Sequence, residues 1–359
     1  LERRENIGGT WDLFKYPGVR SDSDMHTLGF SFKPWNAQKS IADGPSIMQY
    51  LNETVDEYGL KEKIRFSHRV VAANWSSADA QWLLAVDAGG LQKQMSCNFL
   101  FMCSGYYSYD EAYDAQIPGV DSFNGHLVHP QFWPERLDYR GKRVVVIGSG
   151  ATAVTIVPSM AEGGAQVTML QRSPTYMVSM PDRDAIANFL RKVLPDSWAY
   201  ALTRFKNVRL QDFFYKRARK APEKVRAQLL RLVKRMLPEG YDVAKHFTPR
   251  YNPWDQRLCL VPNSDLFKAI KNGSVEVVTD EIDTVTSDGL RLKSGTKLPA
   301  DILVTATGLK LTVLADVPFT VDGQPIDFSD AYTYRGMMYS GVPNLVSTFG
   351  YINASWTLR

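Results

Sequence analysis

The sequence is poor in the residues that build disulfide frameworks and metal sites. Its three cysteines form no C-x-x-C pair, and an odd cysteine count without a signal peptide favours a reduced, cytoplasmic environment. The five histidines show no H-E-x-x-H or comparable ligand spacing, so we expect no metal site. No apolar run approaches the roughly 20 residues that are needed to cross a bilayer.

A strong excess of one charge is also missing. The chain has 42 lysines and arginines against 38 acidic residues, a formal net charge of +4, which does not indicate a nucleic-acid partner. The chain does have length and apolar content. Its 359 residues, 44% of them hydrophobic, can bury a sizeable core and form two or more domains of roughly 150 residues each.

Short β-rich runs alternate with helical and loop stretches along most of the chain. This alternation is typical of α/β domains with parallel sheets. Asn74–Gln94, interrupted by Gly89-Gly90, reads as a β excursion inserted into the first domain. The β-rich runs are Phe99–Cys103, Arg143–Ile147, Gln166–Leu170, Val275–Val278 and Ile302–Thr305.

Long apolar-periodic segments predict a helical insertion over residues 182–250. We interpret its strongly basic polar face as the solvated side of a packed helical lid, and contact with an anionic membrane is the alternative. The apolar positions are Phe189, Leu190, Val193, Leu194, Val225, Leu229, Leu232, Val233 and Met236. The basic positions are Lys216, Arg217, Arg219, Lys220, Lys224, Arg226, Arg231, Lys234 and Arg235.

A glycine-rich turn follows the predicted strand Arg143–Ile147. It has the form G-x-G-x-x-A and consists of Gly148, Ser149, Gly150, Ala151, Thr152 and Ala153. The first glycine permits a tight turn, the second lets a pyrophosphate approach the backbone, and the alanine lets the helix pack closely on the sheet. The following helix N-terminus attracts negative charge. In this strand, turn and helix context the motif predicts dinucleotide binding.

The residues after the next predicted strand indicate which dinucleotide binds. An NAD site usually carries an acid there for the ribose 2′-hydroxyl, whereas this chain has Arg172 and Ser173. An arginine is suited to the 2′-phosphate of NADPH. The alternative is that Arg172 is only a surface charge.

A linker motif indicates the class of protein. Residues 123–134 read F-N-G-H-L-V-H-P-Q-F-W-P and resemble the Baeyer–Villiger monooxygenase fingerprint, F-x-G-x-x-x-H-x-x-x-W-P. The fixed positions are Phe123, Gly125, His129, Trp133 and Pro134. Related N- and S-oxygenating flavin monooxygenases typically lack the Trp-Pro ending. His129 is either a structural residue or a linker that couples domain motion, and we assign it no proton transfer.

The resemblance extends to the beginning of the chain. Glu2 is placed like the acid that binds the adenosine ribose of FAD, although alone it reads as a terminal charge. The segment that follows, Gly8-Gly9-Thr10-Trp11, resembles the G-G-x-W segment of the flavin monooxygenase superfamily. The resemblance implies that Glu2, Gly9, Thr10 and Trp11 contact FAD. It also leads us to expect a βαβ unit with a first G-x-G-x-x-G upstream of residue 1.

The same resemblance implies a domain organisation. We expect an α/β fold with two dinucleotide-binding, Rossmann-like domains of the flavin monooxygenase type and the helical insertion. The FAD-binding domain takes residues 1–138, the NADPH-binding domain residues 139–305, and the chain returns to the FAD-binding domain at residues 306–359. The family continues beyond that point. Two segments look like chain crossings between the domains, Cys103-Ser104-Gly105 and Ala306-Thr307-Gly308. Further matching stretches are residues 16–25, 103–107, 251–263 and 350–356.

The resemblance also implies a mechanism. In the family NADPH reduces FAD, O2 adds to the reduced flavin, and the flavin peroxide attacks a carbonyl or a sulfur. Arg257 matches the catalytic arginine, whose permanent charge stabilises negative charge in the peroxide. Asp22 matches the acid that pairs with this arginine at the cofactor. Without the resemblance both would read as structural ion-pair residues. Many members carry a lysine before this arginine, where this chain has Gln256, and that departure weakens the case for NADPH.

The sequence therefore predicts an FAD- and NADPH-dependent monooxygenase that acts with O2 on ketones, thioamides or thioethers. One alternative is a catalytically inactive fragment that retains at most NADP binding. A binding module that uses its basic helices on a membrane surface or a nucleic acid is the third reading, and we expect no nucleic-acid partner. Nothing in the sequence indicates the oligomeric state.

Overall fold

The computed structural model describes residues 1–256 and 258–348. The α-helices of this part are α1 (Thr10–Leu13), α2 (Met25–Leu28), α3 (Gly44–Glu57), α4 (Ala151–Glu162), α5 (Ala185–Val193), α6 (Asp196–Lys220), α7 (Pro222–Met236), α8 (Val243–Phe247) and α9 (Asp265–Lys271). Short 3₁₀ turns lie at Lys61–Lys63, Val120–Ser122, Pro130–Phe132 and Leu314–Asp316.

The strands of the described residues are, up to the helical insertion, β1 (His68–Ser76), β2 (Gln81–Ala88), β3 (Leu91–Cys97), β4 (Leu100–Met102), β5 (Tyr107–Ala112), β6 (His126–Val128), β7 (Arg143–Ile147), β8 (Gln166–Gln171) and β9 (Tyr176–Met180). After it come β10 (Leu258–Pro262), β11 (Val275–Thr279), β12 (Ile282–Thr286), β13 (Gly289–Leu292), β14 (Lys297–Pro299), β15 (Ile302–Thr305), β16 (Leu309–Leu311), β17 (Phe319–Val321), β18 (Gln324–Pro325), β19 (Thr333–Tyr334), β20 (Met338–Tyr339) and β21 (Leu345–Ser347).

A five-stranded parallel sheet forms the centre of the fold. Its strand order is β11-β8-β7-β15-β6, and the paired strands all run in the same direction. The two central strands, β7 and β15, are almost continuously apolar because helices and a second layer cover both faces of the sheet. This arrangement confirms the predicted α/β fold. The edge strand β6 lies in the range that we assigned to the first domain, and the domain boundaries stay predictions.

Helices α4 and α9 pack on one face of this sheet. Their apolar side chains form a buried cluster with the strands, in which Ile156, Met160, Met169 and Phe267 are almost fully buried. The opposite face is covered by the antiparallel meander β12-β13-β14 and the segment before β6. Both faces of the sheet are thus covered, and the carboxyl ends of its strands are where proteins of this fold class usually bind ligands.

A second five-stranded sheet, β18-β17-β1-β2-β3, contains the β excursion that we predicted at Asn74–Gln94. The excursion is longer than predicted, because β1 already begins at His68 and β3 ends at Cys97. In β2 buried and exposed residues alternate, as expected for a strand with one packed face. Trp82 is 0% exposed, packs edge-on against Trp75 and Phe319, and donates a hydrogen bond from its indole nitrogen to the Pro343 carbonyl (3.2 Å).

Helices α5 to α8 form the predicted helical insertion, which is confirmed as helical. Helix α7 packs into the core through Val233 and its neighbours. Helices α5 and α6 instead leave large apolar side chains uncovered in the described structure: Phe189 is 61%, Trp198 67% and Phe205 62% exposed. Apolar periodicity therefore predicted the helices correctly, but it did not reveal which apolar faces are buried.

No helix in residues 1–256 and 258–348 combines the length and apolar character of a membrane-spanning segment. In the same residues no group of three or more His, Cys, Asp and Glu side chains is placed to hold a metal ion.

Replacement of Trp82 by alanine should destabilise the protein by about 3–5 kcal/mol, because it leaves a large cavity and an unpaired carbonyl in the second sheet. The adjacent Leu83 is a matched control: its side chain points to the other face and is 45% exposed. Leu83→Ala should change the free energy of unfolding by only about 0.5 kcal/mol. Urea unfolding followed by tryptophan fluorescence measures both, and equal effects would contradict the packing described.

Candidate functional site

The glycine-rich turn lies at the carboxyl end of β7 and is sterically restricted to glycine at its first position. Gly148 has φ +140°, a conformation that L side chains rarely adopt. A Cβ atom there would lie 2.3 Å from the carbonyl oxygen of Ala306. Because Ala306 begins the second predicted chain crossing, the turn and the crossing are packed directly against each other.

Helix α4 begins at Ala151, inside the glycine-rich motif, and its N-terminus adjoins Gly148 and Ser149. Gly150 is the N-cap residue, so the first backbone N–H groups of α4 have no partner within the helix. These donors and the helix dipole attract an anion. Ala153 is fully buried where α4 packs on the sheet, as the motif predicted. The turn and the α4 N-terminus therefore have the geometry that the motif predicts, and pyrophosphate binding stays a prediction.

The end of β8 joins the glycine turn through hydroxyl contacts. Ser149 Oγ donates to the carbonyl oxygen of Ser173 (3.2 Å) and lies 2.9 Å from the hydroxyl of Thr175. Two predicted cofactor residues are therefore in direct contact. Arg172 is exposed beside them.

An acid lies near Arg172, although it is absent from the local sequence. Glu281, just after β11, lies close enough to Arg172 that the arginine contributes to the lowered pKa of this carboxyl. The largest contribution to that lowered pKa comes from the hydrogen bond with Lys293, which also forms an ion pair with Glu281. Glu281 is thus paired with Lys293 rather than with Arg172.

The fingerprint segment is a structural connector between β6 and the rest of the sheet. A Cβ atom at Gly125 would lie 2.4 Å from the Asp301 carbonyl oxygen, so this position excludes a side chain. Phe123 packs against the cluster under the meander, and Trp133 packs against the core formed by α4 and α9. Three fixed positions of the motif, Phe123, Gly125 and Trp133, therefore have a packing reason.

His129 stabilises the 3₁₀ turn inside the fingerprint. Its Nδ1 accepts a hydrogen bond from the Gln131 backbone N–H (3.2 Å), which caps this turn. Burial lowers the pKa of His129. Its Nε2 is buried without a hydrogen-bond partner among the described residues, and the role of His129 as a linker stays a prediction.

The two predicted crossings lie side by side. Strand β5 follows the first crossing, Cys103–Gly105, and β16 follows the second, Ala306–Gly308. The two strands pair antiparallel with each other. Sequence alone gave no reason to pair them, since nearly the whole central sheet lies between them along the chain.

The residues predicted on the flavin side gather around two tyrosines. The Thr10 hydroxyl forms a hydrogen bond with the Tyr107 hydroxyl, and Tyr109 lies beside Gly9. Burial and, to a smaller extent, the Glu2 carboxylate raise the pKa of Tyr109. Trp11 instead packs against the separate cluster around α2 and α3. Sequence reasoning missed Tyr109 because no motif marks it.

Tyr16 lies between helix α4 and the segment that carries Asp22. Its side chain packs against the core cluster that contains α4. Burial is the main cause that raises the pKa of Tyr16 to about 12, and the Asp22 carboxylate acts in the same direction. The Tyr16 hydroxyl therefore stays neutral beside the Asp22 segment.

The segment around Asp22 is tied to the central domain. Arg20 Nη1 donates to the Asp265 carboxylate (2.5 Å) at the start of α9. Asp22 itself is exposed between the buried residues Ser21 and Ser23. Arg257, its predicted partner, lies outside the described residues, as does the matching stretch 350–356.

Comparison with known proteins identifies the family. Residues 41–320 match the family described as flavin-binding monooxygenase-like. The FAD-containing monooxygenase EthA of Mycobacterium tuberculosis is 56% identical over 360 residues, which cover 100% of this chain and 74% of that protein. The probable FAD-binding monooxygenase AlmA of Acinetobacter baylyi is 53% identical over 361 residues, covering 100% of this chain and 72% of that protein.

Solved structures share the fold at low sequence identity. An open crystal structure of cyclohexanone monooxygenase superposes with a TM-score of 0.78 at 21% identity, covering 97% of this chain and 76% of that one. Oxidized steroid monooxygenase bound to NADP superposes with a TM-score of 0.78 at 23% identity, covering 97% of this chain and 74% of that one. On the sequence match, the chain belongs to the flavin-binding monooxygenase-like family.

Proposed function

We propose that this chain is the core of an FAD- and NADPH-dependent monooxygenase that places one oxygen atom of O2 into a ketone or onto the sulfur of a thioamide or thioether. The observation that supports this most directly is the close approach of Gly148, in the turn proposed for NADPH, to the Ala306 carbonyl. The crossing that starts at Ala306 leads to β16, which pairs with β5, and Tyr107 of β5 bonds to Thr10, a residue proposed for FAD. A hydride donor and a flavin must be close together, and this arrangement supports that requirement.

The residues present fit both cofactors. For NADPH the proposed groups are the turn Gly148–Ala153, the α4 N-terminus, Arg172 and Ser173. For FAD they are Glu2, Gly9, Thr10, Trp11 and Asp22. When bound, FAD takes electrons from NADPH and activates O2. The protein's part is to hold these groups, to exclude water and to stabilise negative charge, for which Arg257, oriented by Asp22, is the proposed cation.

The visible absorbance of the purified chain tests this proposal. After incubation with FAD and removal of free flavin, we expect a retained flavin spectrum that NADPH bleaches and air restores, and product formation with a ketone or thioether. A chain that retains no flavin but still binds NADP would support the alternative of an inactive fragment. NADP binding can be measured separately by tryptophan fluorescence.

Arg172→Ala should weaken NADPH binding roughly tenfold or more and leave NADH binding unchanged, because only NADPH carries the 2′-phosphate that the guanidinium would contact. Titration of both coenzymes by tryptophan fluorescence measures the ratio of affinities. Lys271→Ala, which removes an exposed cation at the end of α9, is the matched control. An unchanged preference for NADPH in Arg172→Ala would remove Arg172 from the site.

Arg257→Ala and Asp22→Asn should each abolish oxygenated product while flavin reduction by NADPH continues, since both residues are proposed to act after reduction. The electrons of NADPH should then appear as hydrogen peroxide. Product, NADPH consumption and peroxide are measured in parallel, with Arg250→Ala as a control at a nearby exposed arginine. Retained product formation in Arg257→Ala would exclude the proposed role.

The exposed apolar face of the insertion supports a second proposal, peripheral contact with an anionic lipid surface. On α6 the exposed apolar side chains recur at helical spacing, and basic side chains share that face. Interfacial helices combine these two features. The apolar residues are Trp198, Leu202, Phe205 and Phe213, and the basic ones are Arg209, Lys216 and Lys220.

Co-sedimentation with vesicles tests the lipid contact. The chain should bind vesicles that contain phosphatidylserine, bind neutral vesicles weakly, and dissociate as the salt concentration rises. Phe205→Ser should reduce binding, whereas Leu83→Ser, at an exposed leucine of β2, should not. An absence of binding at low salt would contradict the proposal.

A further inference from the structure

Helix α2 is a single turn that begins three residues after Asp22, and helix α6 holds its N-terminus. Its N-cap residue, Asp24, uses both carboxylate oxygens. One accepts hydrogen bonds from the Thr27 backbone N–H (3.0 Å) and from Asn207 Nδ2 (2.9 Å). The other accepts from the Thr27 hydroxyl (2.6 Å) and from Gln211 Nε2 (3.4 Å). Two side chains of α6 therefore complete the cap of α2.

The other end of α2 is held by the same helix. Arg204 Nη1 donates to the Thr27 carbonyl oxygen (2.7 Å) and lies 3.5 Å from the His26 carbonyl oxygen. Positions 204, 207 and 211 lie three and then four residues apart, so they share one face of α6. A carboxylate at one end of α2 and carbonyl groups at the other are thus bound by one row of side chains, which fixes both the position and the direction of the turn.

Burial makes these contacts specific. Asn207 is 9% exposed, and His26 and Thr27 are also buried. A buried polar group that loses its partner cannot replace it with water, so the geometry is strongly enforced. On its other side the segment is bound by the chain at residues 40–42: Met25 N–H donates to the Ser40 carbonyl (2.7 Å) and Ser21 N–H to the Ala42 carbonyl (2.8 Å).

Residues 21–28 are therefore held by α6 on one side and by residues 40–42 on the other, while the Asp22 carboxylate is exposed. Asp22 is exposed, while its neighbours Ser21 and Ser23 are buried. The direction of the Asp22 carboxylate therefore depends on backbone that α6 and residues 40–42 hold in place. Helix α6 is itself attached to α5 by the Lys206–Asp184 ion pair (2.6 Å), so a shift of the insertion would be transmitted to the segment.

We infer that α6 positions Asp22 for the oxygenation step, and that Arg204, Asn207 and Gln211 are positioning residues that act through Asp24 and α2. The inference rests on the proposed role of Asp22. The helical insertion thereby takes part in the reaction. While α6 keeps its hydrogen bonds with Asp24 and α2, the Asp22 carboxylate is held in place, and when these bonds are lost it can move.

Backbone hydrogen exchange, measured on the chain without cofactors, tests directly whether Asn207 of α6 holds α2. Asn207→Leu removes the donor at similar size, and Asn207→Asp places a second carboxylate against Asp24. In both variants the backbone amides of residues 23–28 should exchange roughly tenfold faster, as expected for the loss of one buried hydrogen bond. Phe205→Ala, on the exposed face of α6, is the control.

Unchanged exchange in both Asn207→Leu and Asn207→Asp would show that Asn207 does not hold α2. A second measurement concerns the reaction. With FAD and NADPH, Asn207→Leu should leave the rate of flavin reduction unchanged and raise several-fold the share of electrons that end as hydrogen peroxide, whereas Phe205→Ala should change neither.

Comparison with Asp22→Asn separates the two proposals. If Asp22→Asn uncouples the reaction but Asn207→Leu does not, the positioning role is wrong while the role of Asp22 stands. If Asp22→Asn itself leaves coupling unchanged, the proposed function of Asp22 fails. Faster exchange in Asn207→Leu would in that case still establish the contact between α6 and α2.

Discussion

The close approach of Gly148 to the Ala306 carbonyl is the constraint on which the site depends. It brings the turn after β7 against the point where the chain leaves β15, and the distance of 2.3 Å to a built Cβ leaves no room for any side chain. The same contact orients α4, because Gly150 follows two residues later as its N-cap. This backbone contact thereby lies next to both the N-terminus of α4 and the crossing that starts at Ala306.

Around this contact polar side chains join separate parts of the chain. Thr10 bonds to Tyr107, Ser149 lies 2.9 Å from the Thr175 hydroxyl, and Arg20 pairs with Asp265. Each contact is at least partly buried, so water competes weakly for its hydrogen bonds. A few directional contacts therefore hold this region in addition to apolar packing.

The helical insertion has two different faces. The inner face of α6 is polar and makes hydrogen bonds with α2, while the outer face carries tryptophan and phenylalanine that the described structure leaves exposed. A helix of a simple globular domain would show the reverse pattern. Apolar periodicity therefore detected the helix but assigned its environment poorly, since periodicity records the spacing of residue types and not the partner that each face meets.

The sequence by itself determined the parallel-sheet class, the glycine turn with its strand and helix, and the positions that match the fingerprint, because these depend on local spacing and on residues next to each other in the chain. Only the tertiary structure decided that Glu281 lies near Arg172, that the two crossings pair as β5 and β16, and that Asn207 completes the cap of α2. These contacts join residues far apart in sequence, and single residues such as Tyr16 or Asn207 carry no local pattern that would reveal their partner.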